Sequence, residues 1–189
     1  MSFSTTTTTL PKYTAVLDNI LPDVVCKGLI DSFDCCNQEK WDRNGAPKFT
    51  QVNVNQDKPE FVKPLVKFTM HALDKYQKLF PLANYFLPTS NKLEEFRVKR
   101  YNSGNDRYDN HIDVESLDSS PRYLAFLFYL NHDFSGGQTE FVEGASVMPR
   151  AGSVLVFPPY WMYPHAGKRV ISGTKYIMST YLHLNDFTN

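Results

Sequence analysis

The hydrophobic positions of this chain change period once, and the change divides it into two parts. Near the start, YTAVLDNIL (13–21) alternates as a strand does. Pro22 and Asp23 then open VVCKGLIDSFDCC (24–36), where apolar residues recur at helical spacing. PEFVKPLVKFTMHALDKYQKLF (59–80) has the spacing of a second, longer helix. Pro64 places the start of its regular part, because an interior proline removes a donor and crowds the preceding turn. Between them, DRNGAPKFTQVNVNQDK (42–58) is rich in Asn, Gly and Asp, and reads equally as a lid, a substrate-facing loop or a surface insert. Beyond Leu87-Pro88 the runs are short and β-like: LEEFRVKRY (93–101), RYLAFLFYLN (122–131), QTEFV (138–142), SVLVF (153–157) and YIMSTYLHL (176–184). The pattern predicts a mostly β protein with N-terminal helices, in which helical support over 23–80 packs on a jelly-roll core over 93–184. A Thr-rich tail over 1–12 is predicted to be disordered, leaving 13–189 as a single domain.

Composition narrows the function classes. Lys plus Arg equals Asp plus Glu at 20 each, so there is no basic excess to neutralise phosphates, and nucleic acid is not an expected partner. No apolar run is long enough to span a bilayer and the N-terminus lacks a signal-peptide pattern, so a cytoplasmic location without membrane association is expected. Cys26, Cys35 and Cys36 form no metal-ligand spacing, and they fit a reducing compartment.

The candidate chemistry lies in RYDNHIDVES (107–116). In an extended strand positions i and i+2 project together, so His111 and Asp113 share a face while Ile112 points into the opposite layer. A second imidazole, His165, follows the strand SVLVF. Two histidines and one carboxylate with open positions left over make the facial triad of non-haem Fe(II) oxygenases. Lys175 starts an apolar strand ten positions beyond His165. A buried lysine needs an anionic partner, and the distal carboxylate of a dicarboxylic cosubstrate is one; an exposed strand-end charge is the alternative. His71 in a helix, His132 in a turn and His183 near the C-terminus read as packing or surface imidazoles.

These motifs resemble the catalytic domain of the 2-oxoglutarate and Fe(II)-dependent dioxygenases, within them the prolyl 4-hydroxylase type. The matching residues are FRVKRYNSGNDRYDNHID, RYLAFLFYLN, GGQTEF, PRAGSVLVFP and HAGKRVISGTKY, in that order over 96–184. The resemblance implies a cupin-like double-stranded β-helix. It makes His111, Asp113 and His165 the iron ligands and the catalytic centre, and pairs Lys175 and Tyr129 with the distal carboxylate of 2-oxoglutarate. It also places Tyr101 and Thr139 at the cosubstrate, and Arg122 at a peptide substrate. Tyr181 stands where the family commonly has tryptophan. The ten-residue step from Tyr101 to His111 resembles the oxygen-sensing branch, whereas the step from His165 to Lys175 resembles the collagen type.

The implied activity is hydroxylation of an unactivated C–H bond, coupled to decarboxylation of 2-oxoglutarate to succinate. The implied cofactors are Fe(II), 2-oxoglutarate and O₂, with ascorbate as a candidate reductant. The expected substrate is proline in a peptide or protein, and the expected state is a monomer or homodimer. Two alternatives stay open: hydroxylation of a free amino acid or other small molecule, and a non-catalytic cupin-like module that holds a metal without turnover.

Overall fold

The computed structural model of the chain describes residues 9–43 and 47–184. Most of the predicted tail, 1–8, lies outside them. Its described end is tied down, since the Lys12 carbonyl accepts from the Tyr163 hydroxyl at 2.8 Å and the Pro11 carbonyl accepts from the Thr14 N–H at 3.0 Å.

The elements run β1 (Ala15–Leu17), α1 (Asp23–Ser32) with a tighter turn at Phe33–Cys35, β2 (Glu39–Asp42), β3 (Lys48–Asn53), α2 (Val54–Asp57), α3 (Pro59–Leu79) and α4 (Pro81–Phe86). The β-rich part follows as β4 (Asn91–Leu93), β5 (Arg97–Asn102), β6 (Tyr108–His111), β7 (Arg122–Tyr129), β8 (Ser135–Gly136), β9 (Thr139–Phe141) and β10 (Ser146–Val147). It ends with β11 (Val154–Phe157), β12 (His165–Gly167), β13 (Val170–Ser172) and β14 (Thr174–Leu184). Among the described residues no helix is long and apolar enough to cross a membrane.

Every strand pairing is antiparallel. The large sheet has the order β1-β11-β7-β14-β5-β3-β2, with β4 also on β14. A smaller sheet, β10-β9-β12-β6, faces it, and β13 pairs with β8. The period-two rule assigns each side of the large sheet a different task. Leu124, Phe126 and Phe128 of β7, with Met178 and Leu182 of β14, share one apolar cluster with Leu29, Phe33, Leu65 and Tyr76 from the helical layer. Tyr101, Ala125, Tyr129 and Ile177 pack instead with Phe141 and Val147 of the small sheet. This second cluster fills the space between the sheets, and the candidate site lies at its edge. The fold is mostly β with N-terminal helices, as the hydrophobic pattern predicts.

Several boundaries differ from the sequence expectation. The strand expected over 13–21 is only Ala15–Leu17, because Asn19 turns the chain with φ 56°. The longer helix begins at Pro59, where a first-turn proline sacrifices no helical bond, so Pro64 lies inside it rather than at its start. The run 93–101 is split between β4 and β5, and at the break the Glu94 N–H donates to the Tyr181 carbonyl at 2.9 Å. The largest correction concerns 42–58. Its centre is not a loop but β3, nearly all buried, which pairs Val52 with Val98 and Asn53 with Arg97 of β5. Asn and Gln give the segment a loop-like composition, yet FTQVN alternates well enough to extend the large sheet. The region expected as helical support therefore also supplies two strands.

Candidate active site

β6 and β12 are neighbours in the small sheet, and their register sets His111 directly opposite His165. β6 ends at His111, and Asp113 follows on an irregular step whose N–H donates to the Pro159 carbonyl at 3.2 Å. One ligand atom from each of His111, Asp113 and His165 lies within 4.8 Å of the others, a group that could hold a metal ion. The Asp113 carboxylate oxygens stand 3.6 Å from His111 Nε2 and 3.9 Å from His165 Nε2. Because the strand stops at His111, Ile112 does not enter the opposite layer; it lines an outer groove.

Local hydrogen bonds fix how both imidazoles point. His111 Nδ1 lies 2.8 Å from the Asp109 carbonyl and His165 Nδ1 lies 3.1 Å from the Tyr163 carbonyl. A carbonyl only accepts, so each Nδ1 carries the proton and each Nε2 turns a lone pair toward Asp113. The rings are clamped by aromatics: Tyr108 stacks on His111 at 3.5 Å and 5°, and Phe157 meets His165 edge-on at 4.9 Å. Burial raises the Asp113 carboxyl, but the facing imidazoles of His165 and His111 outweigh it whenever they carry a second proton and then hold the group well below the usual carboxylate range. Burial keeps His165 on the neutral side of its ordinary value, with Asp113 opposing. An ionised carboxylate beside imidazoles with exposed lone pairs is the donor set that Fe(II) takes, so the residues present fit such a metal.

Lys175 is 2 % exposed, which rules out the exposed strand-end alternative. Its ammonium donates to the Gly137 carbonyl at 2.6 Å and lies over the rings of Tyr101 and Tyr129, 5.4 and 5.9 Å from their centroids. Gly137 makes this cradle possible. Its φ is +68°, and a Cβ there would meet the Lys175 Cδ at 3.2 Å. Among the described residues no carboxylate reaches the ammonium, and burial without a counter-charge pulls its pKa down to about 7. Tyr129, fully buried, donates to Thr139 Oγ1 at 2.8 Å. That bond fills an acceptor position on Thr139 and leaves its own hydroxyl proton free to be given elsewhere. The triad, Lys175, Tyr101 and Thr139 line one cavity.

Arg122 stands apart from that cavity, on a groove of about 600 Å³ that begins at Asp113. Its guanidinium forks onto Glu94 at 2.9 and 2.7 Å, donates to the Asp113 carbonyl at 2.7 Å and covers the Tyr181 ring at 4.1 Å. The residue therefore holds the loop that carries a candidate metal ligand. Tyr181 lies on the same wall, its phenol pushed well up by burial and then by Asp113.

Sequence reasoning missed five contributors. Tyr108 is a stacking partner of His111, Glu94 engages Arg122, Phe49 of the segment expected as a loop stacks on Trp41 of β2 at 5.8 Å to form one wall of the groove, and Lys99 projects between cavity and groove. Lys99 alone had a usable signal, since counting back by two from Tyr101 puts it on the same face. Of the other histidines, His71 is exposed, His132 accepts from the Ala151 N–H at 3.3 Å, and His183 lies 3.4 Å from Glu94.

Residues 96–183 match the family model of the 2OG-Fe(II) oxygenase superfamily. No curated protein matches. Among solved structures, the chain is similar to the viral collagen prolyl hydroxylase of Paramecium Bursaria Chlorella virus-1, solved with 2OG, at TM-score 0.68 and 21% identity over 93% of this chain and 97% of that one. It is similar to the Trichoplax adhaerens prolyl hydroxylase, solved with a hypoxia inducible factor peptide, at TM-score 0.68 and 16% identity over 90% and 83%. It is also similar to a Pseudomonas putida prolyl-4-hydroxylase at TM-score 0.64 and 16% identity over 91% and 92%. At these identities the structures speak for a shared fold. Residues 96–183 are thus similar to the 2OG-Fe(II) oxygenase superfamily, whose name specifies Fe(II) and 2-oxoglutarate.

Proposed function

We propose that the protein hydroxylates proline in a peptide or protein at the 4 position, with 2-oxoglutarate decarboxylated to succinate. The observation that carries the reading is Lys175, a buried ammonium without a counter-charge among the described residues, set in the cavity that holds His111, Asp113 and His165. A module that only held a metal would have no use for such a charge. Bound by the triad, Fe(II) with 2-oxoglutarate and O₂ would supply the decarboxylation and the attack on an unactivated C–H bond.

The chain's own residues then bind and orient. Lys175 meets the distal carboxylate of the cosubstrate, and that charge restores the proton which burial alone disfavours. Thr139, relieved as an acceptor by Tyr129, offers its hydroxyl proton to the same carboxylate, and Tyr101 closes the side of the pocket. Tyr108 and Phe157 keep water off the histidine rings. Arg122 acts at the substrate through the Asp113 loop it holds. The groove is open and has an aromatic wall, from Tyr108 through Phe49 to Trp41, that suits the flat ring and extended backbone of a proline-bearing segment. The free thiols Cys26, Cys35 and Cys36 suit a cytoplasmic site of action.

The test is succinate formation by anaerobically loaded Fe(II) protein on admitting O₂, with and without capped proline-rich peptides. Peptide-stimulated succinate, one added oxygen on the proline, and loss of both in His111→Ala are expected. Succinate driven only by free amino acids would transfer the reading to a small-molecule hydroxylase, and none with any substrate would leave the binding module.

A further inference from the structure

Lys99 is the feature of the site that the proposed chemistry does not use. It lies one rung from Tyr101 on the inward face of β5, and its side chain lines both the metal cavity and the outer groove. Its ammonium sits 5.5 Å from the centroid of the Phe49 ring. Among the described residues it makes no hydrogen bond and no ion pair; on the same groove Arg43 covers the Trp41 ring at 4.5 Å, and three further cations are committed. Arg122 is forked by Glu94, Arg97 holds Glu95 at 3.0 Å, and Lys175 is deep against Gly137. The nearest opposing charge, Asp113, is shared between His111 and His165. Burial, with Arg122 and Arg97 beside it, lowers the Lys99 pKa, and Asp113 only partly offsets it, so within the protein the charge is incompletely compensated.

The surroundings limit what such a charge can receive. Glu115 and Asp118 stand on the same groove and oppose a polyanion such as a phosphate ester. A single carboxylate, placed inward of that rim, is compatible with both.

We propose that Lys99 is a specificity-determining residue that receives a carboxylate of the substrate next to the carbon being hydroxylated. The assignment rests on the prolyl hydroxylase reading and deepens it to an acidic substrate class. The carboxylate can come from an acidic side chain beside the proline or from a free α-carboxylate, and the two sources separate experimentally.

Binding is measured on anaerobic protein loaded with Mn(II) and 2-oxoglutarate. One series of probes is the capped peptides Gly-Xaa-Pro-Yaa-Gly with Glu, Gln or Lys at either variable position; the other is N-acetylproline against N-acetylprolinamide. A Glu peptide is expected to bind about tenfold tighter than its Gln counterpart. The preference should vanish in Lys99→Met and turn toward the Lys peptide in Lys99→Glu. If the preference is confined to N-acetylproline over its amide, the Lys99 assignment stands and the peptidyl reading falls. Equal binding of all charge forms, no binding by any anionic probe, or a preference that survives Lys99→Met overturns the assignment. Equal binding together with peptide-driven succinate would leave the prolyl reading intact. Lys99→Met should also melt no lower than the parent, because a half-buried charge without an ion pair is being removed; a lower Tm would show a structural role and overturn the assignment.

Discussion

β7 and β14 carry two chemistries on alternate residues. On one face Leu124, Phe126, Phe128, Met178 and Leu182 fill space against α1 and α3 with no titratable group among them. On the other, one residue away along the same strands, stand Tyr129, Lys175, Ser179 and Tyr181 beside the group that could hold a metal ion. The helix-facing side buries large apolar area, each fully buried phenylalanine contributing about 2–3 kcal/mol. The sheet-facing side contains charges whose burial opposes folding. The difference shows that the helices do more than cap the sheet: they stabilise a scaffold rigid enough to hold a destabilising face in place.

Substitutions on the two faces should therefore separate function from stability. The largest effect is expected from His165→Ala, which should weaken Mn(II) binding at least about a hundredfold and abolish succinate formation. Next, Lys175→Met should lower 2-oxoglutarate affinity about a hundredfold to a thousandfold while raising the Tm of the ligand-free protein, since a buried ion without a partner is exchanged for an apolar side chain. Phe128→Ala, on the opposite face, should do the reverse. About 3–5 kcal/mol of stability is lost to the cavity, and turnover per folded molecule at low temperature is kept. Denaturant melts alongside activity measurements check both variants, and a Phe128→Ala protein that folds but is inactive would break the contrast.

A smaller effect follows from pH. Lys175 must be protonated to pair with a carboxylate, and its pKa in the folded, ligand-free protein is pulled down to about 7. Cosubstrate affinity should thus be level below that pH and fall about tenfold per unit above it, until the raised pKa of the complex is passed. Titration calorimetry of 2-oxoglutarate binding across that range measures the slope, and Lys175→Arg should flatten it.

What could be read from the sequence was whatever depended on short separations and period two. Lys175 enters an apolar strand, so its burial follows from local pattern; His111 and Asp113 converge as their two-residue spacing suggests, although an irregular step after β6 rather than strand alternation aims Asp113. What could not be read depended on pairings between distant segments. Glu94 and Arg122 are 28 residues apart and meet only because β4 and β7 both flank β14. Phe49 reaches the groove only because an Asn-rich run extends the sheet beside β5. Lys99 has a charge without a visible purpose until β3, the groove and the triad surround it.

On the proposed reading, the sheet-facing side uses Lys175 to receive a second carboxylate beside a metal held by His111, Asp113 and His165. The most direct test of that reading compares 2-oxoglutarate with 2-oxobutanoate, which lacks the distal carboxylate, for binding to anaerobic Mn(II)-loaded protein and to Lys175→Met. The parent is expected to bind 2-oxoglutarate at least about a hundredfold tighter, and Lys175→Met to bind the two alike. Equal affinities in the parent, or discrimination that persists in Lys175→Met, would contradict it.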